Sequence, residues 1–179
     1  GGGNGTVVTI NAPDVLFKGF HVRGSGVEPD LDHGGITINA PRASIESNVL
    51  TDVLFGVFAS MAKGSVIRDN DITSKIQYDE SRQGDAIRLW YSPEVMIEGN
   101  RVRQARDVVV WYSDGVTLRN NLVENGRYGV HLMYASESEV ADNVFRDNSV
   151  GVYTMYSHDV RLHGNVIRGH RGPSGYGLG

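Results

Sequence analysis

One spacing recurs along the whole chain and leaves few folds open to it. Asn11, Asn39, Met61, Tyr91, Tyr112, Tyr134 and Tyr156 are each followed, nine residues later, by Phe20, Asn48, Asn70, Asn100, Asn121, Asn143 and Asn165. The first set advances by 28, 22, 30, 21, 22 and 22 residues. A period near 22 built from short apolar runs predicts a solenoid in which each repeat is one coil.

The alternation inside each coil shows which residues face inward, because strand side chains alternate between faces. Six residues past the first landmark stand Phe17, Ile45, Ile67, Ile97, Leu118, Val140 and Leu162. Two past the second stand Val22, Leu50, Ile72, Val102, Val123, Phe145 and Ile167. A third run, two residues before the first landmark, gives Ala59, Leu89, Val110, Leu132 and Thr154, with Ile36 one place out of step. β-Branched residues dominate, and no amphipathic helix of ten residues can be drawn. The expected fold is all-β: a right-handed parallel β-helix of about seven coils and three short strands per coil, each coil adding about 4.8 Å of height. Residues 1–179 are expected to form one such domain. Stacked Asn side chains satisfy one another at a turn in such a fold. The tyrosine column is expected to fill the interior near a corner.

Composition narrows the function. With 40% hydrophobic residues the chain can fill a continuous core, and a net charge of −4 disfavours nucleic acid as a partner, which needs a basic face. No apolar run is long enough to span a membrane. The absence of cysteine excludes disulfides and thiolate metal sites. The opening Gly1-Gly2-Gly3-Asn4-Gly5 and the finish Tyr176-Gly177-Leu178, which matches Tyr128-Gly129-Val130, are expected of a piece of a longer β-helix without its leader and last coils.

Function is sought where the repeat is broken. Two insertions, Gly24 to Gly35 and Ser74 to Gly84, leave the same corner and are expected to lie near one another as a lip over the adjacent sheet. Beside them, the residues expected to point outward read Trp90, Trp111, Met133, Met155 in one column and Arg88, Val109, His131, Tyr153 in the next, with Phe58 extending the strip. An exposed apolar strip of this kind marks a binding surface. Within it, His131, Met133 and Met155 form a soft imidazole and thioether set suited to copper as Cu(I). Stacked aromatics equally suit a sugar ring, so a polysaccharide-binding or polysaccharide-modifying protein is the competing class. Asp85, Arg88 and Asp107 are the best catalytic candidates for that class, but only one charged pair is expected to meet there, as a surface ion pair.

The runs Gly84-Asp85-Ala86-Ile87-Arg88-Leu89-Trp90-Tyr91-Ser92-Pro93, Arg106 to Ser113, Arg127-Tyr128-Gly129-Val130-His131-Leu132-Met133-Tyr134 and Gly172-Pro173-Ser174-Gly175-Tyr176-Gly177-Leu178-Gly179 resemble the NosD family. Its members are periplasmic β-helix accessory proteins of nitrous-oxide reductase maturation. The resemblance implies a non-enzymatic protein in the periplasm, working with ABC transporter subunits, a copper chaperone and nitrous-oxide reductase. It supplies no catalytic residues, and leaves His131, Met133 and Met155 as the candidate copper contacts.

Overall fold

The computed structural model describes residues 1–172 and 175–179; Pro173 and Ser174 of the last run above lie outside the described residues. Among the described residues, twenty-one strands form three parallel sheets of seven, each sheet taking one strand from every coil. The first sheet consists of Val8–Ile10, Gly34–Ile38, Phe55–Ser60, Ile87–Trp90, Asp107–Trp111, Tyr128–Met133 and Val150–Met155. The second runs from Leu16–Lys18 to Arg161–His163 and the third from His21–Arg23 to Val166–Arg168. This is the expected parallel β-helix. Among the described residues no helix is long and apolar enough to cross a membrane.

The three inward columns meet in one continuous core. Ile38, Ala59, Leu89, Val110 and Leu132 lie in register along the first sheet and are buried. Ile45, Ile67, Ile97, Leu118 and Val140 do the same on the second, and Leu50, Ile72, Val102, Val123 and Phe145 on the third. Burying each large aliphatic side chain favours folding by about 1.5–3 kcal/mol, so the core supplies most of the energy that holds the coils together.

The asparagine column is a buried ladder between the second and third sheets. Nδ2 of Asn48, Asn70, Asn100, Asn121 and Asn143 each donates to Oδ1 of the Asn one coil on, at 2.9–3.0 Å. The same oxygens accept the backbone N–H of the preceding Asn. The residue before each landmark, namely Gly19, Ser47, Asp69, Gly99, Asn120, Asp142 and Gly164, has φ between 52° and 78°. These residue types tolerate the left-handed region best, and that conformation turns the chain sharply enough for the next amide to point inward.

The structure differs from the sequence-based expectation in two places. The tyrosine column lies outside the coil: Tyr91, Tyr134 and Tyr156 are exposed, and successive rings from Tyr91 to Tyr156 stack at 5.0 Å with interplanar angles of 10–14°. The reason is backbone conformation. All four tyrosines have φ of 46–51°, which reverses the alternation and throws the ring outward just after an outward residue. That strain costs about 1–3 kcal/mol in each coil, and ring stacking offsets part of it.

The nine-residue spacing also conceals a slip. Ile38, not Ile36, pairs with Ala59, while Ile36 pairs with Val57. Asn39 therefore follows the row of Ser60 and Trp90, not that of Met61 and Tyr91. The corner from Ile38 to Ile45 is one residue shorter than that from Ala59 to Ile67, because the left-handed residue present at Met61 has no counterpart there.

The ladder gives a stability prediction. Asn100→Ala leaves the backbone N–H of Asn70 without its acceptor and removes the Nδ2 bonds from Asn70 to Asn100, from Asn100 to Asn121 and from Asn100 to the carbonyl of Ile67, and should cost about 3 kcal/mol in urea unfolding. Asn165→Ala, at the half-buried end of the ladder, should cost less.

Candidate site on the outward face of the first sheet

Parallel pairing sets the outward residues of the first sheet into two rows. Trp90, Trp111, Met133 and Met155 are successive partners in one row, with Ser60 before Trp90. Thr9, Thr37, Phe58, Arg88, Val109, His131 and Tyr153 form the other. The inward assignment of Leu89, Val110 and Leu132 holds, so the strip lies outside the core.

The strip packs on itself more than the sequence suggests. Trp90 is 36% exposed, Trp111, Met133, Tyr153 and Met155 are half-buried, and His131 is only 9% exposed. Aromatic contacts account for this. Trp90 meets Trp111 at 6.1 Å and Tyr112 at 5.0 Å, edge to face, while Trp111 stands edge-on to His131 at 6.0 Å. An extra residue in Tyr128–Met133 opposite the Asp107 to Val109 step brings Tyr128 onto the same face, 5.1 Å from the imidazole, and Tyr153 closes the other side at 5.7 Å.

His131 is thus held among rings without a polar partner. Both ring nitrogens, and the indole nitrogen of Trp111, are buried and make no hydrogen bond among the described residues. Burial pushes the imidazole below its ordinary value; Asp107 opposes this and Arg127 adds to it. A buried imidazole with both nitrogens unpaired is costly, and its neutral form carries a lone pair suited to a soft metal ion. Met133 is two residues on, on the same side of the strand, and Met155 is its partner on the next coil about 4.8 Å away. The donor set fits Cu(I). Among the described residues no group of three or more His, Cys, Asp or Glu could hold a metal ion.

The acidic candidates behave differently from expectation. Asp85 is wholly buried and receives hydrogen bonds from Nε of Arg88 at 2.7 Å and Nε of Arg106 at 3.2 Å. Asp107, also buried, binds Arg127, the backbone N–H of Tyr128 at 3.0 Å, and Arg106 at 3.5 Å. In place of the single surface ion pair, there is a chain of two buried carboxylates and three partly exposed guanidiniums. Each acid is saturated by its arginines, and burial pushes the Asp85 carboxyl up against the pull of Arg88 and Arg106. Arg88 in turn lies over the Phe55 ring at 4.3 Å and the Trp111 ring at 5.5 Å, and the second contact ties the network to the strip.

Both insertions stand beside this face as expected. Pro29 and Asp30 of the first and Ser81, Arg82 and Gln83 of the second border a common cleft of about 250 Å³. A larger groove of about 630 Å³ opens on the amino-terminal half of the face. Its floor drops because small residues, Thr9, Thr37, Asn39 and Ser60, fill the early coils, whereas Trp90 and Trp111 rise as a wall and Leu31 and Asp32 of the first insertion form a rim. The sequence reading missed this groove. The change from small polar to indole along one outward row is the signal that reveals it.

Comparison with known proteins places these residues in context. Residues 72–178 match a family model described as "Periplasmic copper-binding protein (NosD)", and that span contains every member of the strip except Phe58. A curated relative from Pseudomonas aeruginosa, named "Probable ABC transporter binding protein NosD", is 30% identical over 109 residues, covering 60% of this chain and 26% of the relative. The chain therefore spans about a quarter of that relative's length. A solved structure of a plasmid-mediated fluoroquinolone resistance protein aligns over 89% of this chain and 91% of that one, at 9% identity and a TM-score of 0.22.

The pH response of His131 is testable. Because its folded-state affinity for a proton is lowered, the unfolded chain takes up a proton first on acidification, and stability contributed by the neutral ring is lost as pH falls below about 6.5. Urea unfolding across a pH series should show a steeper acid-side decline for the wild type than for His131→Phe.

Proposed function

The chain belongs to the NosD family of periplasmic copper-binding proteins, and from that premise we propose that it is a periplasmic scaffold that holds Cu(I) in transit at His131, Met133 and Met155. The reading is carried by one observation: an imidazole with two unpaired nitrogens, buried beside a thioether that pairs with a second thioether on the next coil. Thioether and neutral imidazole bind Cu(I) in preference to hard cations, and two or three such ligands allow release to a better acceptor.

The surrounding rings have a part in this. Trp111, Tyr128 and Tyr153 cover the imidazole, so one of them swings aside for an ion to enter and afterwards keeps water from it. Trp90 and the exposed edges of the tyrosine stack then supply apolar contact area for a copper-carrying partner. Arg88 is fixed by Asp85 and holds the edge of this surface. The partners proposed are ABC transporter subunits, a copper chaperone and the nitrous-oxide reductase that receives the copper. The role is that of a binding protein, since Asp85 and Asp107 are sealed by arginines and unavailable for acid–base work.

Titration with Cu(I) against a competing chelator tests the site. The wild type should show one tight site, weakened at least about tenfold in the His131→Ala/Met133→Ala double variant, as expected when ligands are removed. Equal affinities would contradict the assignment.

A further inference from the structure

The 630 Å³ groove shares Trp90, Trp111 and Arg88 with the surface described above, but its floor has a chemistry of its own that copper handling does not use. We propose that it is a binding site for a neutral oligosaccharide. Its floor and walls are the argument. Thr9, Thr37, Asn39 and Ser60 line it with hydroxyl and amide groups, and Trp90 and Trp111 bound it with indoles. Sugar recognition needs this combination: aromatic surface for the apolar C–H faces of the rings, and small hydrogen-bonding groups for the hydroxyls.

The polar groups are also free to bind. Among the described residues, the hydroxyls of Thr9 and Ser60 make no hydrogen bond, and Asn39 uses only its Nδ2, on Asn11 at 2.9 Å, leaving its carbonyl oxygen unengaged. The outward rows of a parallel sheet repeat about every 4.8 Å, so these groups form a grid along which a chain of sugar rings lies lengthwise.

Charge decides which sugars. The groove contains one acid and one base, Asp32 and Arg88, which stand 3.8 Å apart, and Arg88 is also committed to Asp85 at 2.7 Å. No net charge is left for a uronate or a phosphate. Asp32 is the one carboxylate among the described lining residues, whereas glycoside hydrolysis uses a pair of carboxyl groups across the scissile bond, so the glycan is held and not cut. The site is separate from the copper ligands. Thr9, Thr37, Asn39 and Ser60 precede the family-matched span 72–178, and of its wall only Trp111 touches His131.

The chain offers its own reporter, since its two tryptophans both line the groove. Indole emission should be followed while the chain is titrated with cellohexaose, maltohexaose and chitohexaose, and separately with an oligogalacturonate. At least one neutral hexasaccharide should give a saturable shift, weakened about tenfold or more in Asn39→Ala/Ser60→Ala, whose two side chains are surface groups outside the core. Its reducing ends should not increase on prolonged incubation. The proposal is overturned if no neutral hexasaccharide gives a saturable shift, if the oligogalacturonate binds more tightly than all three, if the double variant binds like the wild type, or if the glycan is cleaved. Cu(I) affinity, measured on the same double variant, should stay at the wild-type value, so failure of the sugar site and failure of the copper site read out separately.

Discussion

The structure depends on pairing between identical positions of successive coils. Each strand finds its partners one coil before and one coil after, and the asparagine ladder repeats that rule with side chains. The core residues are interchangeable aliphatics that would tolerate sliding by a repeat, whereas a buried amide without its neighbour loses several hydrogen bonds at once. Register is therefore set by polar groups and paid in apolar area. Because the register is fixed, any residue type placed in an outward row becomes a line of like groups about 4.8 Å apart.

The two sites proposed above use that line in different ways. In the later coils the row carries thioethers, with an imidazole walled in by Trp111, Tyr128 and Tyr153, where desolvation keeps the ring neutral and ready as a donor. In the earlier coils the same rows carry Thr9, Thr37, Asn39 and Ser60, and the drop in side-chain height makes a groove. Between them, the Asp85, Arg88, Arg106, Asp107 and Arg127 chain cross-links three coils through ion pairs to two buried carboxylates. Such a chain tolerates loss of a member poorly, since an unpaired buried charge remains, and it holds the corner from which the strip is displayed.

Much of this was legible in the residues. The 22-residue period, the three inward columns and the outward strip follow from alternation alone, and the structure reproduces them at Leu89, Val110 and Leu132. The tyrosine column was misplaced because alternation assumes extended backbone, and a left-handed residue after Trp90 or Trp111 inverts it without any mark in the sequence. The burial of His131 was not legible either: it arises from one extra residue in Tyr128–Met133 that swings Tyr128 onto the outer face. Likewise the charge chain required knowing that the Asp85 and Asp107 side chains are buried, where three arginines converge on two acids.

The central claim is that two thioethers on adjacent coils share one ion with a buried imidazole, and the chain's four methionines allow it to be read directly. Methyl-labelled methionine NMR, with Ag(I) added as a redox-inert analogue of Cu(I), resolves Met133 and Met155 from Met61, which is exposed on the tyrosine column, and Met96, on the second sheet. The account predicts that the Met133 and Met155 methyls shift together and saturate at one equivalent while Met61 and Met96 stay in place. Movement of Met61 in step with them, or no shift at Met133 and Met155, would contradict it.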